Sequence, residues 1–133
     1  ENKIDYIMHA INNNFDVEID LWFKDKKFYL GHDEPQFKIE PEWIFKRAHK
    51  LWIHTKDIPA LFTFSQQVMG MRAFWHQEDR YTITTNGFLW TYPGAILTPR
   101  SICVMPERVQ DLYTEEEIKN CAGICSDFIS RYK

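Results

Sequence analysis

Val17-Glu18-Ile19-Asp20-Leu21 alternates apolar and acidic residues without a break, and this alternation constrains the chain more than any other feature. Side chains of an extended strand point alternately to its two faces, so a period of two specifies a strand with one apolar and one charged face. The pattern runs from Phe15 to Trp22. A strand packed between helices and a dry core should carry no carboxylates on its inner face. Two carboxylates on one strand face, about 6–7 Å apart, repel one another. A hard divalent cation removes that repulsion and accounts for the pair. The competing reading is an edge strand whose acidic face lies in water.

The flanking segments are short and of both kinds. Ile4, Ile7, Met8 and Ile11 form one apolar helical face, and Asn12-Asn13-Asn14 stops the helix. Asp25-Lys26-Lys27 reads as a turn into Phe28-Tyr29-Leu30, and Gly31-His32-Asp33-Glu34-Pro35 as a polar loop. Pro41 to His49 predicts a short helix with proline near its start. Leu51 to Lys56 is a strand, after which Asp57 caps a helix to about Gln67. Arg72 to Gln77 is strand-like. Tyr81 to Thr84 and Phe88 to Thr91, joined through Asn86-Gly87, predict a hairpin. Ser101 to Met105 is a further strand. Thr114 and Glu117 make a capping box for a helix to about Asn120, and Gly123 to Asp127 is a last strand.

Alternation of strands and helices predicts an α/β domain with a largely parallel sheet. About six strand–helix steps are too few for an eight-fold barrel. The expected fold is therefore a reduced or incomplete TIM-like (β/α) barrel, with an open doubly wound sheet as the alternative. At 133 residues one domain, 1–133, is expected. No apolar run approaches the roughly 20 residues of a membrane span. A net charge of −3 argues against a general nucleic-acid binder. Cys103, Cys121 and Cys125 are an odd number and read as reduced thiols rather than a disulfide framework or a zinc site. Glu1-Asn2-Lys3 does not read as a signal peptide, so a cytoplasmic location is expected.

Three further groups contain residues capable of chemistry. His32 lies in a loop at the end of a strand, where an imidazole can act as general acid or base and Asp33 can orient it. The competing reading is a surface His-Asp pair. His54 and Lys56 share a strand face with Trp52. His54 can ligate a metal and Lys56 can hold a phosphate oxygen, unless they simply mark an exposed strand end. Trp75, His76 and Glu78 form the third group, in which Trp75 reads equally as core packing.

Glu18-Ile19-Asp20 followed one hairpin later by His32-Asp33 resembles the glycerophosphodiester phosphodiesterase family of the phospholipase C-like phosphodiesterases. Glu1-Asn2 looks like the Glu-Asn before that family's first helix. Phe88-Leu89-Trp90-Thr91 and Gly123-Ile124-Cys125-Ser126-Asp127 look like its Trp-Thr strand and its final strand. The resemblance implies hydrolysis of a small glycerophosphodiester-like substrate with a magnesium or calcium ion. Glu18 and Asp20 would be ligands, with His54 where the family has a glutamate two positions before its lysine. Lys56 would be a second positive contact, His32 one catalytic histidine, and Trp75 and Trp90 walls of the pocket. The family's first-strand His-Arg-Gly precedes the sequence given, so the chain reads as a shortened form without that strand. The alternative is a non-catalytic phosphate- or metal-binding module of the same fold. A barrel without its first strand would expose two sheet edges, which invite homo-oligomers.

Overall fold

Helix α1, Ile4–Asn12, turns Ile7 into the core. Asn14 ends it with a left-handed φ of 64°, a conformation asparagine tolerates. The computed structural model describes residues 2–67, 70–109 and 111–132, without side chains for 65–67.

The alternating segment is strand β1, Val17–Lys24. Ile19 and Leu21 are both 0% exposed, so its apolar face is core. Asp25 and Lys26 both take positive φ, 50° and 60°. That is a two-residue hairpin turn whose twist matches the strands it joins. It leads to β2, Lys27–Leu30, antiparallel to β1 with Phe23 opposite Phe28. A further strand, β3, Phe37–Ile39, pairs antiparallel with β2. Its three residues between Pro35 and Pro41 are too few to show a period, and the sequence carries no expectation of it.

Helix α2, Pro41–Arg47, has its proline in the first turn and runs into a 3-10 turn, Ala48–Lys50. Strand β4, Leu51–Thr55, then lies parallel to β1, placing Asp20 opposite His54. Helix α3, Ile58–Gln67, starts at Asp57 as expected: Oδ1 accepts from the Ala60 N–H at 2.7 Å. Oδ2 accepts from the Phe23 N–H at 3.1 Å, which ties the cap to β1. Strand β5, Arg72–Phe74, is parallel to β4. The five strands run β3-β2-β1-β4-β5. Leu30, Ile44, Leu51 and Ile53 join Ile19 and Leu21 in the core, and burying each such side chain is worth about 1.5–3 kcal/mol.

Contacts gather into two units, Glu1–Trp75 and His76–Lys133. The second has its own sheet. Strand β6, Tyr81–Ile83, and β7, Leu89–Thr91, form the expected hairpin, with Gly87 at φ 82°. Strand β8, Ser101–Val104, and β9, Gly123–Cys125, extend it in parallel, in the order β6-β7-β8-β9. Helix α4, Glu115–Lys119, connects them and has the full capping box between Thr114 and Glu117.

These sheets overturn the expected reduced TIM-like (β/α) barrel. Among the described residues there is no closed barrel but two mixed sheets, of five and four strands. The reason lies in the connections. A parallel barrel needs a crossover before each strand. Here the turns at Asp25-Lys26 and Asn86-Gly87 reverse the chain, and β2, β3 and β6 pair antiparallel. Strands that reverse in this way are not strand–helix steps. No helix among the described residues is long and apolar enough to cross a membrane.

Candidate metal centre

The face of β1 opposite the core carries Glu18 and Asp20. Asp20 is 3% exposed and the Glu18 side chain 27%, so the carboxylates are largely withdrawn from water, Asp20 almost wholly. His54 reaches the same place from β4, directly opposite Asp20 in register. Lys56 follows two residues later on the same side, its backbone N–H donating to the Leu21 carbonyl at 2.8 Å. The cluster lies at the carboxyl end of β4, where parallel strands of α/β sheets present ligand sites.

The distances define a closed set of contacts. His54 Nδ1 is 3.0 Å from Asp20 Oδ1 and 3.8 Å from Glu18 Oε1. Lys56 Nζ is 3.4 Å from Asp20 Oδ1. The Asn2 side-chain amide donates to Asp20 Oδ2 at 2.9 Å, and its oxygen accepts from the Asp20 backbone N–H at 2.9 Å. Phe74 on β5 stacks on the His54 ring, centroids 5.1 Å apart and planes 8° from parallel. Burial raises the Asp20 pKa. Hydrogen bonds from His54 and Asn2, with the charges of Lys56 and His54, outweigh it, and the carboxyl ends below its ordinary value. Asp20 is therefore ionised at neutral pH although buried.

One ligand atom each from Glu18, Asp20 and His54 lies within 4.8 Å of the others. Ligands of one calcium ion, bonded at about 2.3–2.6 Å, stand at most about 5 Å apart. The spacing is within the reach of one calcium ion, whereas magnesium, at about 2.0–2.1 Å, would draw the ligands closer. To ligate through Nδ1, His54 must first give up the hydrogen bond it donates to Asp20. Two carboxylate oxygens and one imidazole nitrogen suit a divalent cation, though the neutral nitrogen weakens the set for hard ions.

The other sequence-derived site residues stand elsewhere. His32 is not in the group. Its Nδ1 is 2.9 Å from Asp33 Oδ1, and the side chains are 60% and 92% exposed. Its backbone is nevertheless anchored nearby, since the preceding Gly31 N–H donates to the Asp20 carbonyl at 3.2 Å. Trp75 follows β5 and is half-buried. Trp90 is a buried residue of β7 in the second unit. Glu1 lies outside the described residues.

Two partners of the cluster have no role in the sequence reading, Asn2 as the clamp on Asp20 and Phe74 as the platform for His54. Only Asn2 had a signal, through the Glu1-Asn2 pair. A second network also escaped that reading. Arg72 Nη1 pairs with Asp16 Oδ2 at 2.6 Å, Lys50 Nζ lies 3.5 Å from Asp16 Oδ1, and the Arg72 guanidinium lies 4.6 Å over the Trp52 ring. These residues stand at the starts of β1, β4 and β5, and they staple the sheet at the end away from Lys56.

Compared with known proteins, the chain matches no family model, no curated sequence and no solved structure.

Proposed function

We propose that the first unit carries a divalent-cation site of Glu18, Asp20 and His54, and that the site serves hydrolysis of a small phosphodiester. The observation that carries this reading is the convergence of two carboxylates and an imidazole within 4.8 Å on adjacent strands. The resemblance of Glu18-Ile19-Asp20 and His32-Asp33 to glycerophosphodiester phosphodiesterases supports the substrate class. A calcium or magnesium ion, when bound, supplies positive charge against a non-bridging phosphate oxygen. Lys56 gives a second positive contact. His32, oriented by Asp33, exchanges the proton at the attacking or leaving oxygen.

Calorimetric titration with calcium chloride and hydrolysis of bis-p-nitrophenyl phosphate test this together. The wild type binds calcium, and Asp20→Asn abolishes binding. His32→Ala slows hydrolysis by about 100-fold or more while leaving calcium binding intact. Absence of calcium and magnesium binding by the wild type would overturn the reading. The position of His32 outside the cluster favours a second one, a non-catalytic phosphate-binding module. Cation binding with equal, background-level hydrolysis by wild type and His32→Ala would establish that instead.

A further inference from the structure

We infer that Lys56 occupies the cation's place on Asp20 until the cation arrives, so that cation loading releases its ammonium to bind the phosphate. This rests on the cation site proposed above and adds a coupling between its two ligands. Lys56 Nζ and His54 Nδ1 share one oxygen of Asp20, at 3.4 and 3.0 Å, while Asn2 holds the other. The buried carboxylate is thus already neutralised by a side chain on four flexible carbons. At 3.4 Å the ammonium lies just beyond ordinary hydrogen-bond distance, and with its side chain only 17% exposed it has little water to turn to.

Charge makes the exchange consequential. The carboxylates of Glu18 and Asp20 repel a phosphodiester, itself a monoanion. A divalent cation adds two positive charges between them and removes the need for Lys56 at Asp20. The same event therefore creates the attraction for the anion and frees the group that grips it. Linkage makes this reciprocal, and the phosphodiester must tighten the cation by the same factor.

Lys56 then plays opposite parts toward the two ligands, a competitor of the cation and a partner of the anion. A merely structural lysine would not show that opposition. The test is calorimetric titration of the whole chain with calcium chloride, with and without dimethyl phosphate as the diester probe. In the wild type, dimethyl phosphate binds only after calcium, and it tightens calcium binding. Lys56→Gln binds calcium about fivefold or more tightly than wild type, because the competing ion pair is gone, and it loses the effect of dimethyl phosphate. Lys56→Arg retains the charge and stays within about twofold of wild type. The wild-type coupling is read without any variant, so a poorly folded Lys56→Gln leaves the inference exposed to refutation. Calcium binding that is unaltered or weaker in a folded Lys56→Gln overturns it, as does dimethyl phosphate binding the wild type equally with and without calcium. No calcium binding by the wild type would instead remove the cation site itself.

Discussion

Asp20 is the residue on which the first unit's chemistry converges. One oxygen faces His54 and Lys56, the other faces Asn2, and its backbone N–H is held by Asn2 as well. A buried carboxylate this well paired remains ionised, and its pKa lies below the ordinary 3.8. The sign follows from linkage. The unfolded chain takes up the proton first as pH falls, so the ionised form contributes stability above the unfolded value and loses it as pH drops through the folded one. Urea denaturation between about pH 5 and about pH 2 should therefore show wild-type stability falling more steeply with acid than that of Asp20→Asn. Parallel slopes would mean that the pairing does not favour the carboxylate. Of the residues gathered around Asp20, Glu18, His54 and Lys56 were legible from strand periodicity, since each shares a face with a neighbour two positions away. For Asn2 the only signal was the Glu1-Asn2 pair, because the clamp joins residues eighteen apart in sequence and depends on where α1 begins.

Elements defined by local chemistry were those most readily anticipated. Helix α1, the caps at Asp57 and Thr114 and the Asn86-Gly87 turn each need only a few adjacent residues, and each is found, though of the expected apolar face of α1 Ile7 is buried and Ile4 is exposed. Strand β3 depends on its pairing with β2 and left no local mark. The loop between those strands is fixed by its backbone. Gly31 donates its N–H to Asp20, its carbonyl accepts from the Trp22 indole at 2.6 Å, and Gln36 N–H returns to Leu30 at 2.9 Å. A Cβ at Gly31 would stand 1.9 Å from the Glu34 carbonyl oxygen, a backbone atom. Gly31→Ala is therefore expected to cost more than about 1 kcal/mol in urea denaturation, because the loop must open to admit the methyl group. A wild-type midpoint would show that the loop yields at no cost. The same turn of chain presents His32, which explains why its place could not be read from its position after a strand.

At the scale of the molecule, the barrel expectation failed on connectivity. Counting alternating segments does not distinguish a strand reached by a hairpin from one reached by a crossover, and only the second builds a parallel barrel. The order β3-β2-β1-β4-β5 makes β1 the central strand of its sheet, paired on both sides. Strand β6 has one neighbour and exposes Ile83 at 67%. Hydrogen exchange should accordingly be slowest at the amides of Ile19, Leu21 and Ile53 and fast at β6, since elements with few buried contacts open first. Uniform exchange across both sheets would contradict that ranking. The two-sidedness of β1 has a last consequence, for how this sequence can vary. Losing or gaining one codon within β1 ahead of Glu18 would invert every downstream side chain of the strand, sending carboxylates into the grease and aliphatics toward Lys56. Scaffold and site would be lost in the same stroke. Length changes in descendants of this gene should therefore collect at the tip formed by Asp25 and Lys26, and not inside the strand that precedes it.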